Sequence, residues 1–238
     1  MTSHKDNAHE GRIRISVTCL AEFVTTYGRA AESVLRPYKF SKRGEGFARS
    51  SYYQHALTAI RMYHSNANDL QVLETALFEL RASADKTPSS RERSKLLHNI
   101  RAIAAYRHNY KDRKFNVLPN RRIAYRIGQI NVTAQPDLWV EENGNQVLLK
   151  IGVSKKAPSY VDIILTVMRK AAVSNHYRVR ARNVVYLDVS TGQELICKAG
   201  LVRFNKTFMS RAREIGNVWP KMKAPPKYTD EGGSHHSA

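Results

Sequence analysis

The sequence predicts an α/β fold: a mixed β-sheet with a crossover helix, preceded by a helical N-terminal part. Three observations carry that reading. Apolar residues recur at helical spacing through the first hundred positions, and the pattern turns extended after Asn109. Two apolar runs then flank a glycine turn near residues 136–152, followed by one more helical stretch and further β-rich sequence. The expected division is a helical part over residues 1–113, an α/β core over 114–218 and a disordered basic tail over 219–238.

The first ten or so residues read as a frayed tail. Over residues 16–35, Val17, Leu20, Ala21, Val24, Gly28, Ala31 and Leu35 make one stripe of a single helix that Pro37 closes. Glu22 and Glu32 fall on its polar side. Residues 39–49 form a glycine-punctuated basic loop without P-loop spacing, in which Lys42 and Arg43 are solvent charges or phosphate contacts. The next helix, over residues 50–64, buries Tyr53, Ala56, Leu57, Ile60 and Tyr63. His55 and His64 are not spaced as a helical metal pair. Asp69 caps a third helix running to about residue 83, with Val72, Leu73, Ala76, Leu77 and Leu80 inward. A fourth follows Thr87-Pro88-Ser89-Ser90 and runs to about residue 106, with Leu96, Leu97, Ile100, Ile103 and Ala104 inward.

Charge is the outlying feature of the composition. Lys and Arg number 39 against 20 Asp and Glu, a net charge of +19, while 42% hydrophobic and 25% charged residues are ordinary and exclude wholesale disorder. Such an excess repels itself unless a polyanion neutralises it, which points to nucleic acid as partner. The densest basic stretch holds Arg107, His108, Lys111, Arg113, Lys114, Arg121, Arg122 and Arg126. No apolar run approaches the roughly 20 residues that span a bilayer, and the start lacks an apolar signal segment, so no membrane partner is expected. Cys19 and Cys197 lie far apart, which indicates neither a disulfide framework nor a cysteine metal site and fits a reducing, cytoplasmic setting.

Ile123, Tyr125 and Ile127 alternate, then the apolar phase moves to Ile130 and Val132, which predicts one long strand bulged at Gly128-Gln129 and leading into Pro136-Asp137. Residues 136–140 and 147–152 are two strands joined by the turn Glu142-Asn143-Gly144-Asn145. Asp137 and Lys150 then stand on neighbouring strands, close enough to share a ligand. A basic loop with Lys155 and Lys156 leads to a helix over residues 159–173, burying Val161, Ile164, Leu165, Met168 and Ala171 and leaving Arg169 and Lys170 outside. A strand at 183–189, a turn at 190–193 and a returning strand at 194–198 place Asp188 and Glu194 beside a hairpin. The last helix, over residues 206–218, packs Phe208, Ala212 and Ile215.

Pro136-Asp137, the hairpin, Lys150 and Gly152 together resemble the core of the PD-(D/E)xK nuclease superfamily, in particular its RecB-like branch, over roughly residues 121–200. The resemblance implies a restriction-endonuclease-like core and a nucleic-acid partner, DNA ahead of RNA. It also implies Asp137 and Lys150 as the catalytic pair, with Asp137 a ligand of Mg²⁺ and Lys150 beside the attacking water. Leu148 stands where the family has its second acid, and the helix at 159–173 lacks the family's Gln and Tyr one turn apart. Those departures imply a metal centre partly or wholly lost. The expected function is nucleic-acid binding on a nuclease-like scaffold, through Arg107, Lys111, Arg113, Lys114, Arg121, Arg122, Lys155, Lys156 and Arg169. The alternatives are an active Mg²⁺-dependent nuclease whose second acid is Glu22, Glu32, Asp188 or Glu194, and a basic adaptor for an acidic protein.

Overall fold

Alternation along the central strands sorts their side chains into two cores, one on each face of a sheet. The structure, a computed structural model, describes residues 13–40, 52–154, 157–198 and 206–223. In chain order these form β1 (Ile13–Ser16), α1 (Val17–Thr25), α2 (Arg29–Phe40), α3 (Gln54–Ser65), α4 (Leu70–Lys86), α5 (Ser90–Tyr110), β2 (Asn116–Val117), β3 (Ala124–Ile127), β4 (Ile130–Thr133), β5 (Leu138–Glu142), β6 (Asn145–Gly152), α6 (Val161–Ser174), β7 (Val184–Asp188), β8 (Gln193–Ile196) and α7 (Lys206–Val218).

The larger sheet has five strands in the order β2-β5-β6-β7-β8. β5 and β6 are an antiparallel hairpin over Asn143 and Gly144, which take φ of 50° and 71° as a two-residue hairpin turn requires. β6 and β7 are parallel, so the chain must cross over between them, and α6 is that crossover. Leu138, Val140, Val147, Leu149, Ile151, Val185 and Leu187 pack on one side with residues of α3, α4 and α5. Trp139, Leu148, Val184 and Tyr186 face the other side, into a core with α1, α2, α6, α7 and a second sheet. That sheet has three strands, β1-β4-β3, with β1 parallel to β4. The α/β class with mixed sheets and a crossover helix is therefore as expected.

Several local expectations change. Residues 16–35 are not one helix: Ile13 and Ile15 alternate into a strand, Ser16 Oγ accepts from Cys19 N at 3.1 Å to start α1, and the chain breaks before α2. Thr26 Oγ1 donates back to Glu22 O at 2.7 Å and Gly28 takes φ of 63°, which turns the chain there. Pro37 lies inside α2 rather than ending the run. Helices cover both faces of the large sheet, α3 to α5 on one and α1 and α2 on the other.

Gly128-Gln129 is a two-residue turn, not a bulge. Ile127 pairs directly with Ile130, and Gly128 takes φ of 57°. β3 and β4 consequently belong to the small sheet, and the strand beside β5 is the short β2. On α5 the buried face is Asn99, Ala102, Ile103, Tyr106 and Tyr110, while Leu97 is 40% exposed. Asn99 explains the rotation: it accepts from Ala56 N at 2.9 Å and donates to Tyr52 O and Lys95 O, so a polar residue sits satisfied in the seam. The tail expected to be disordered from Trp219 begins with an ordered turn, Trp219–Lys221, where Lys39 Nζ donates to Met222 O at 2.8 Å. Lys42, Arg43, Lys155, Lys156 and the N-terminal residues expected to form a tail lie outside the described residues.

Candidate functional site

Pro136 and Asp137 deliver the chain to the edge of β5, where Asp137 N donates to Leu149 O at 2.8 Å and fixes the register against β6. Successive strand residues point to opposite faces, so Asp137 shares a face with Trp139, and Lys150 shares it with Leu148. The pair meets. Lys150 Nζ lies 3.1 Å from Oδ1 and 3.0 Å from Oδ2 of Asp137. Ile151 N donates to Asp137 Oδ2 at 2.9 Å. Arg61 reaches across from α3, donating Nε to Asp137 O at 3.0 Å and bringing Nη2 to 3.7 Å from Oδ1. Asp137 is 7% exposed, and its carboxylate is thus ringed by two cations and a peptide N–H.

Leu148 is fully buried in the apolar core, so the position where the nuclease pattern has its second acid holds a packing residue instead. Gly152 is required sterically. A Cβ there would stand 1.9 Å from the Tyr186 hydroxyl oxygen, because the Tyr186 ring lies against the glycine from the neighbouring strand. Burial chiefly, then the carboxylates of Asp188 and Asp137 and the phenol of Tyr160, push the Tyr186 phenol well above its ordinary range. It stays a protonated hydroxyl.

Of the four acids considered as a relocated ligand, Asp188 alone falls on the Asp137 face by strand register, two residues beyond Tyr186 and opposite Gly152. It is 5% exposed, and its Oδ1 accepts from Ser190 N at 3.0 Å and Ser190 Oγ at 2.7 Å, which caps the turn into β8. Glu194 pairs with Leu187 and so projects from the opposite face. Glu22 and Glu32 ride on α1 and α2, and α1 packs on α2, α6, α7, β1 and β4. Among the described residues no cluster of three or more His, Cys, Asp or Glu side chains is arranged to hold a metal ion.

The expected cationic contacts separate into structural and exposed groups. Arg113 donates Nε and Nη2 to the two oxygens of Glu142 at 2.8 and 2.9 Å, pairs Nη1 with Glu194, and lies 4.9 Å above the Phe115 ring. Burial opposes its charge, but Glu142 and Glu194 outweigh that and raise its pKa. It is a clamp rather than a free surface charge. Arg107 pairs with Glu74. Arg169 is half-buried on α6, and its Nε lacks a hydrogen-bond partner among the described residues. Lys111, Lys114, Arg121 and Arg122 are exposed. They do not form one surface, because Arg107 and Lys111 belong to the α3–α5 layer whereas Arg121 lies on Tyr177 in the opposite layer.

Arg61 and Tyr186 were not foreseen. Arg61 is one arginine among many on a helix, with nothing local to mark it, and Tyr186 reads as an ordinary strand aromatic. The class defined so far is an α/β protein with two mixed sheets and a buried Asp–Lys pair at a strand edge. No protein-family model matches the chain, and a search of curated proteins finds no match to it. Among the described residues no helix is long and apolar enough to cross a membrane.

Proposed function

We propose that this chain binds nucleic acid on a scaffold of the PD-(D/E)xK type whose metal site has degenerated. The observation that carries the reading is the state of Asp137: the residue that would hold Mg²⁺ is ion-paired with Lys150 and Arg61, while Leu148 is core. Mg²⁺ takes oxygen ligands, usually one or two carboxylates together with substrate phosphates. Here the donor set is a single carboxylate with two cations against it, and it does not fit that centre. The β5–β6 hairpin followed by the parallel β6–α6–β7 crossover supports a restriction-endonuclease-like core. The net charge of +19 supports a polyanionic partner, with DNA ahead of RNA on the strength of the resemblance alone.

The test is anisotropy binding and gel cleavage on labelled single- and double-stranded DNA and RNA, each in EDTA, Mg²⁺ and Mn²⁺. The expected result is salt-sensitive binding that is equal with and without metal, and intact substrate throughout. Metal-dependent cleavage lost in Asp137→Ala would overturn it. One observation favours a second reading, an active nuclease: Asp188 shares a sheet face with Asp137, with the Tyr186 hydroxyl in the field of both. In that case Asp188→Asn would abolish cleavage as fully as Asp137→Ala.

A further inference from the structure

Several stretches of the sequence carry no acidic residue, and two of the longest are rich in arginine. Residues 113–136 hold Arg113, Lys114, Arg121, Arg122 and Arg126, and residues 163–187 hold Arg169, Lys170, Arg178, Arg180 and Arg182. They are far apart in the chain, and the fold joins them. α6 ends in a turn in which His176 N donates to Val173 O and Tyr177 N to Ala172 O, with His176 at φ of 64°. Asn175 Nδ2 then donates to Ala124 O at 2.9 Å, tying this turn to β3. Arg121 stacks 5.6 Å above the Tyr177 ring and donates to its hydroxyl at 3.4 Å. Beyond Tyr177, Val179 is buried and Asn183 N donates to Arg180 O at 3.0 Å, so Arg178, Arg180 and Arg182 project from a pinned backbone.

These arginines are exposed, and among the described residues none of Arg121, Arg122, Arg126, Arg178, Arg180 and Arg182 is ion-paired with a carboxylate. Asn120 Nδ2 donates to Pro136 O at 3.3 Å, so the patch borders the strand entry that carries Asp137. We infer that Arg121, Arg122, Arg178, Arg180 and Arg182 form one phosphodiester-binding surface, which rests on the nucleic-acid reading above and locates it. Tyr177 is covered on one face by Arg121 and meets Trp139 edge-on at 4.6 Å, so it is not an open platform for a base. Recognition is therefore of the backbone, and sequence contributes little.

The experiment compares the full chain with two triple variants of equal charge change. One is Arg178→Gln, Arg180→Gln, Arg182→Gln. The other is Arg81→Gln, Arg91→Gln, Arg93→Gln, exposed residues on α4 and α5 in the other layer. Binding to a short DNA duplex of arbitrary sequence is measured by anisotropy over a range of KCl, with circular dichroism confirming fold. The expected result is that the first triple loses tenfold or more in affinity and flattens the log K against log[salt] slope by about 2 to 3, while the second changes little. Equal losses from both triples overturn the patch and leave the nucleic-acid reading standing as a diffuse charge effect. No binding of the unmodified chain to DNA or RNA at low salt overturns both.

Discussion

Lys150 holds Asp137 with both carboxylate oxygens near 3 Å from its ammonium, 3.1 Å to Oδ1 and 3.0 Å to Oδ2, at the end of the β5–β6 hairpin remote from its turn. The aspartate side chain is 10% exposed and the lysine 22%, so neither charge is well served by water. Removing Asp137 leaves Lys150 and Arg61 without their shared carboxylate, and removing Lys150 leaves Asp137 with Arg61 alone. Asp137→Ala should cost about 2 to 4 kcal/mol of stability, and the double variant Asp137→Ala, Lys150→Met should lose less than the two single losses combined. A urea-denaturation double-mutant cycle measures this. Neutral single variants would mean that the pair is no structural latch and would return weight to catalysis.

Leu148→Asp introduces an acid where the proposed nuclease-like pattern would have one, but places it in an apolar core where Leu148 is fully buried. The expected outcome is a loss on the order of 3 kcal/mol or more and no metal-dependent cleavage. A folded, cleaving variant would show that the site is one residue from active.

Gly152→Ala forces a methyl group to within 1.9 Å of the Tyr186 hydroxyl and 2.2 Å of its ring. Because the obstacle is a strand side chain packed in the core, the cost should be about 1 to 3 kcal/mol. Combining it with Tyr186→Ala should give less than the summed losses, and thermal melts of the four proteins read that coupling.

Arg113→Met removes the cation shared by Glu142 and Glu194. Stability should fall by about 1 to 3 kcal/mol, since two carboxylates lose their partner, while affinity for nucleic acid stays within about twofold. A large affinity loss with unchanged stability would place Arg113 at the nucleic-acid surface after all.

His64 is buried between Tyr63, Tyr106 and Phe115. Asn68 Oδ1 accepts from Phe115 N, so it is an acceptor towards His64 Nδ1 at 2.6 Å, and Nε2 accepts the Tyr106 hydroxyl at 2.5 Å. That is a neutral imidazole. Burial lowers its pKa to about 4, with Arg113 adding to the effect and the Asn68 bond opposing it. The unfolded chain takes up the proton near the ordinary value of about 6.5, so the stability is fully present above that pH and is lost as pH falls from there through about 4. Urea midpoints at about pH 7 and about pH 4.5 should differ by the equivalent of about 2 to 3 kcal/mol from this group, a component absent in His64→Gln.

Much of the fold was written locally. The Asn143-Gly144 turn, the Asp69 and Ser89 caps, and the helix over Lys206–Val218 stand as the residues imply, because turn chemistry and capping act within a few positions of the chain. So does the meeting of Asp137 and Lys150, since a hairpin with a known turn fixes which residues lie across from one another. The tertiary structure alone decided which sheet β3 and β4 joined, because a strand's ladder partners are chosen by burial and not by its own alternation. It also decided that Asn99 sits in the seam of α5, that Arg61 reaches Asp137 from 76 positions away, and that two acid-free stretches meet at Tyr177. The first two depend on buried polar groups, Asn99 and Asp137, finding partners across the fold, a requirement the sequence states without saying who answers it.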